Sequence, residues 1–171
     1  MPLARLYSPF FPALLASVVI LAVVYAIEHR LGLAPCPLGY GQRIFLGAFS
    51  LTSLCAVCHA PGPFGTRVYA ALTLLWAAAG ALVAGRHVWL QSAVSLSDSC
   101  SPALTPLLGM PWCQAIKAML LGSPECTTIR WSFFDLTLPE WSLLAFLLLA
   151  LLPMSRLLAY RFSTLMHQGE G

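Results

Sequence analysis

The stretch FFPALLASVVILAVVYAI, Phe10–Ile27, decides the fold, because it holds no Asp, Glu, Lys or Arg from end to end. At 1.5 Å of rise per residue, a helix of this length covers roughly 27 Å, close to the hydrocarbon thickness of a bilayer. It is too long for the apolar core of a secretory leader. No small-x-small cleavage site follows it, so it is expected to stay as a span. Three further apolar stretches have the same character: about Ile44–Ala60, Val68–Gly85 and Trp141 to about Tyr160. In lipid a backbone must satisfy its own hydrogen bonds, which makes each stretch a helix. A membrane β-barrel would need alternating segments about half as long, and none is present.

Composition agrees. Of 171 residues 59% are hydrophobic and 9% charged, and the mean hydropathy is +0.82. Soluble domains carry roughly 25% charged residues, so the outer surface here must face lipid. The net charge of +3 comes without a basic run, which removes nucleic acid as a partner class. The reading is an all-α membrane protein: one domain over residues 1–171, a bundle of four transmembrane helices with two periplasmic loops, 28–43 and 86–140. The turn Pro61-Gly-Pro-Phe-Gly-Thr-Arg67 makes spans two and three antiparallel neighbours. Within the second loop, Gln114–Leu121 has apolar residues at helical spacing around Lys117, the pattern of a short helix lying on the membrane surface. Small residues such as Ala77-Ala-Ala-Gly-Ala81 suit close helix packing.

Orientation rests on the basic residues near span ends. With both termini in the cytoplasm, that side receives Arg5, Arg67, Arg156 and Arg161. The periplasm receives Arg30, Arg43, Arg86, Lys117 and Arg130. The counts nearly balance. Five of the six acidic residues (Glu28, Asp98, Glu125, Asp135 and Glu140) fall on the second side, and both termini are placed inside.

Six cysteines then sort by compartment, since disulfides persist on the oxidising side. Cys36 lies at the periplasmic mouth of span two. Its neighbours Pro35 and Pro37 hold the backbone out of the helical region and are expected to keep the thiol exposed. Cys100 and Cys126 sit beside turn formers in the second loop, where two exposed cysteines most often join; spacing does not tell a structural bond from a redox-active one. Cys113 reads as a spare thiol or an exchange partner. Cys55-Ala-Val-Cys58-His59 has the pattern of haem attachment, but it falls in the last turns of span two, at the cytoplasmic end. It reads instead as two small buried thiols and a helix-end histidine.

Taken in order, Pro35-Cys36-Pro-Leu, Gln42-Arg43, the Cys100 to Cys126 loop and Arg130-Trp-Ser-Phe-Phe-Asp-Leu-Thr-Leu-Pro-Glu-Trp141 resemble the disulfide bond formation protein B (DsbB) family from about Phe10 to Tyr160. The resemblance implies a bacterial inner-membrane oxidoreductase that reoxidises the periplasmic dithiol oxidase DsbA and hands two electrons to a membrane quinone, ubiquinone or menaquinone. It implies that Cys100–Cys126 is the disulfide DsbA attacks. By the same resemblance Cys36 belongs to a Cys-x-x-Cys pair beside the quinone, and Arg43 is the cation at the quinone head group. The chain departs from the family at Gly39, which stands where the second cysteine of that pair belongs. Cys36 then has no local partner, and an inter-loop pairing with Cys126 or Cys100 is the remaining route. Two function classes stay open: a quinone-linked thiol oxidoreductase, and a non-catalytic membrane thiol protein or scaffold. A channel is disfavoured, because no charged residue lies well inside a span.

Overall fold

Gly32, at φ +62°, ends the first helix with the left-handed residue that glycine adopts at least cost. The structure, a computed structural model, describes residues 10–32, 36–94, 111–122, 126 and 132–168. Helix α1 spans Phe10–Leu31, α2 Pro37–His59, α3 Pro63–Val94, α4 Trp112–Leu121 and α5 Leu138–Gln168; strands β1 (Ser132–Phe133) and β2 (Leu136–Thr137) precede α5. Four of these helices are long and apolar enough to cross a membrane, which bears out the four-span bundle.

The helices outrun the apolar stretches that announce them. Helix α2 begins at Pro37, where the missing N–H would have had no partner anyway. Gln42 and Arg43 therefore lie inside this helix. It closes at Ala60 (φ 46°, ψ 58°), whose N–H bonds the Ala56 carbonyl at 3.1 Å. Helix α3 has 32 residues, roughly 48 Å, and so projects well past a hydrocarbon layer. Its last turns carry Arg86, His87 and Gln91. Before α5 the chain makes a two-residue hairpin, with Phe134 and Asp135 both at positive φ. Glu140 reaches back to cap the helix, accepting from Thr137 N–H (2.6 Å) and Thr137 Oγ1 (2.9 Å). Trp141 Nε1 donates to the Phe133 carbonyl at 3.1 Å and fixes hairpin to helix.

Inside the bundle, α3 rests on both α2 and α5, and α1 rests on α2. The core is Ala13, Leu46, Phe49, Ala77, Ala84, Phe146 and Leu149. The Ala77–Ala81 stretch works as its small residues suggest: Ala77 is fully buried, and the Phe146 ring lies so close over Gly80 that a Cβ there would meet it at 2.2 Å. Ser17 and Ser50 join α1 to α2, their hydroxyls 2.8 Å apart. Trp76 Nε1 donates to Thr52 Oγ1 at 3.2 Å between α3 and α2. Outside, large apolar side chains stand bare, for example Leu82 at 76% and Leu148 at 65% exposure, as a lipid-facing surface requires.

Cys55 and Cys58 differ from expectation. Both are exposed on the outer face of α2, not buried. A small thiol is as acceptable to lipid as to a helix interface, so its residue type does not select a side.

Candidate functional site

Cys36 is the residue immediately before α2, in extended conformation (φ −77°, ψ 165°). The flanking prolines do hold it out of the helix, but its thiol is half-buried, not exposed. The helix starts one residue later, and the side chain falls into a pocket shared with Leu38, Val83, Leu90 and Cys126.

Cys126 departs further from its expected exposure: it is 1% exposed. Two contacts seat the segment leading to it. Helix α4 lies directly on α2 at Gly41, where a Cβ would stand 2.7 Å from the Met119 carbonyl oxygen. Arg86 Nε donates to the Leu121 carbonyl at 2.7 Å, which holds the end of α4 against α3. Gly122 follows at φ +89°, with Leu90 and Leu38 filling the space a side chain would need.

His87 of α3 completes the cluster and was not singled out by sequence reasoning. Its Nε2 lies 3.5 Å from Cys36 Sγ, and its Nδ1 lies 3.2 Å from Gln42 Nε2. The ring is 7% exposed. Ligand atoms of Cys36, His87 and Cys126 all fall within 4.8 Å of one another. In the orientation found, the Gln42 amide donates to Nδ1. The ring proton then sits on Nε2, facing the sulfur. The sequence signal available was a pair of polar residues one helical turn apart, His87 and Gln91, at the end of an otherwise apolar helix. Gln91 buries its amide oxygen with no hydrogen-bond partner among the described residues.

The Cys36 thiol is pushed far above the ordinary cysteine range. The first cause is its hydrogen bond with the Cys126 side chain, and burial is the second. It makes no capping bond to the first turn of α2. The nearby amides of Gly39 and Leu38 pull the other way without offsetting the rise. In the reduced site the Cys36 sulfur therefore holds its proton at neutral pH. The two sulfurs lie within 4.8 Å of one another, so a rearrangement of the side chains would bring them to S–S bonding geometry.

Arg43 sits one turn and more along α2. It forms an ion pair with Glu28 of α1, and its guanidinium lies 5.0 Å from the Tyr25 ring centroid and 5.6 Å from that of Tyr40. Gly39, in the first turn of α2, places no sulfur beside Cys36. Cys113 is exposed on α4. Cys100, its pairing with Cys126, and Arg130 lie outside the described residues.

The family model for "Disulfide bond formation protein DsbB" matches residues 7–155. A protein named disulfide bond formation protein B 2 from Pseudomonas entomophila (strain L48) is 51% identical over 162 residues, which are 95% of this chain and 96% of that protein. A protein of the same name from Pseudomonas putida is 49% identical over the same coverage. The disulfide bond formation protein B of Stutzerimonas stutzeri is 40% identical over 90% of this chain and 98% of its own.

Proposed function

The chain belongs to the DsbB family of multi-pass bacterial inner-membrane proteins of disulfide bond formation, and from that premise we propose that it oxidises a DsbA-type dithiol at the expense of membrane quinone, using Cys36 and Cys126 as its inner pair. The observation that carries this reading is the contact of Cys126 with Cys36 in a chain where Gly39 leaves Cys36 no local partner.

The residues around the pair suit a quinone head group, which offers two hydrogen-bonding oxygens. Arg43 supplies a guanidinium flanked by two aromatic rings and His87 an imidazole N–H, both donors to such oxygens; the buried amide oxygen of Gln91 can accept only from the hydroxyl of the reduced quinol. When bound, quinone would supply the oxidising power: it takes up two electrons and two protons as the dithiol becomes a disulfide. The protein's own groups do the rest. His87 faces the Cys36 sulfur and stabilises charge there as its proton leaves; Gln42 fixes the ring. From the Cys36–Cys126 disulfide, the Cys100 thiolate attacks Cys126 and releases Cys36 as a thiol, giving Cys100–Cys126. A DsbA dithiol then exchanges with that bond, leaving as a disulfide and returning Cys100 and Cys126 to thiols. The electrons balance: one dithiol is oxidised for each quinone reduced.

We further place both termini in the cytoplasm, so that the cysteine-bearing loops meet DsbA in the periplasm. The test is purified protein with reduced DsbA and a soluble quinone, followed by absorbance. Quinone reduction is expected, and Cys36→Ser or Cys126→Ser should abolish it. No turnover in the parent protein would favour a non-catalytic thiol protein.

A further inference from the structure

Cys36, His87 and Cys126 converge from three separate parts of the chain, and their donor atoms, two sulfurs and one imidazole nitrogen, lie within 4.8 Å of one another in a largely buried pocket. We propose that the reduced site is also a metal site: the two thiolates and the His87 Nε2 capture a divalent cation of zinc type, which holds the pair in its reduced form and blocks its oxidation. This rests on the reading that Cys36 and Cys126 act as one redox pair.

The geometry is close to what such an ion requires. With Zn–S near 2.3 Å and Zn–N near 2.0 Å, tetrahedral donors stand about 3.5–3.8 Å apart. Cys36 Sγ and His87 Nε2 are already at 3.5 Å. Thiolate and imidazole are the donors that prefer zinc over magnesium or calcium, and three protein ligands leave a fourth position to solvent.

Capture balances simply. Each thiol gives up a proton to solvent, two in all, and the ion enters with no change of oxidation state. The two sulfurs then each hold the metal and cannot also form a bond to one another. Conversely, a Cys36–Cys126 disulfide has no thiolate to offer, so binding is confined to the reduced site. Gln42 gains a defined role. With Nε2 on the metal, the ring proton moves to Nδ1. The Gln42 amide must then turn to present its oxygen, becoming the outer partner that orients the ligand.

The experiment uses full-length protein in detergent, reduced and freed of metal and reductant, titrated with Co²⁺ under argon. One Co²⁺ per chain is expected, with thiolate-to-cobalt charge-transfer and tetrahedral ligand-field bands that Zn²⁺ displaces. Cys36→Ser and Cys126→Ser should lose the bands, and Gln42→Leu should weaken binding by about ten- to a hundredfold. The exposed thiols provide the control: Cys55→Ser/Cys58→Ser should leave the spectrum unchanged. Oxidised parent protein, which needs no substitution, should give no bands. The inference is overturned if the reduced parent stays featureless, if bands survive Cys36→Ser, or if they vanish with Cys55 and Cys58. A metal-free portion of the same reduced preparation is assayed with DsbA and quinone, without and with Co²⁺, and Co²⁺ should suppress turnover. Turnover in the metal-free portion without Co²⁺ binding removes the metal site alone, and Co²⁺ binding with no turnover in the metal-free portion removes the oxidase reading alone.

Discussion

His87 Nε2 stands 3.5 Å from Cys36 Sγ, joining the third helix of the chain to the residue that opens the second. This contact gives Cys36 a polar neighbour, beside Cys126, in a pocket shared with Leu38, Val83 and Leu90. Replacing His87 with Leu keeps the volume more nearly and removes the N–H. Turnover with reduced DsbA should fall by about 10²-fold, within the range for losing one positioned proton-handling group. His87→Gln should recover part of it.

The proton on Cys36 can be followed directly. Its thiol is raised above the ordinary 9.0 chiefly by Cys126. A raised value in the folded state means that the folded, reduced protein keeps its proton while the unfolded chain loses one above that ordinary value. Stability of the reduced form is therefore full below about pH 9 and declines as pH rises beyond it. The disulfide form has no such thiol and should show a flatter profile. Cys126→Ala removes the largest cause, so Cys36 should alkylate with iodoacetamide faster at pH 8 than in the parent. An unchanged rate, read by mass spectrometry, would contradict the coupling of the two thiols.

Gly39→Cys supplies a second sulfur in the first turn of α2, three residues after Cys36. A local pair would then form without help from the second loop, and quinone reduction should be faster than in the parent. Equal rates would mean that the inter-loop pair suffices and that Gly39 is neutral.

Glu28 and Arg43 are both largely buried, with side chains 13% and 12% exposed. Removing one partner leaves a poorly solvated charge. Glu28→Gln should lower stability in detergent by up to about 3 kcal/mol, and Glu28→Gln with Arg43→Met should be milder than that single change. A thermal melt followed by intrinsic fluorescence compares them.

Gly80→Ala drives a methyl into the Phe146 ring, where its Cβ would meet Cε1 at 2.2 Å. A cost of about 1–3 kcal/mol is expected, the range for overpacking a filled interior. Adding Phe146→Leu should return part of the loss. Additive effects of the two changes in denaturant melts would deny the contact.

The four spans were legible because apolar excess over helical length has one outcome in lipid. What faced inward was far less so. Hydropathy separates protein from water but not a bundle interior from lipid, and so Cys55 and Cys58 were assigned to the wrong side of α2. The apolar run of the third span stops at Gly85, where Arg86 ends it, yet the helix continues to Val94 and carries His87 to the site. Cys36 was recognised as important from its neighbours Pro35 and Pro37, but its burial depends on Val83 and Cys126, positions far off in sequence. Arg43 was found by resemblance; its pairing with Glu28 needed the α1–α2 interface.

The seating of α4 on Gly41, together with the bond from Arg86 to the Leu121 carbonyl, has a consequence for rate as much as for structure. In a chain with a Cys-x-x-Cys, the partner sulfur is tethered by two residues, and its effective concentration is set by the backbone alone. Here the tether is a docked helix. The effective concentration of Cys126 at Cys36 is high only while that helix stays down, so a side chain added at Gly41, touching no sulfur at all, would dilute one thiol away from the other.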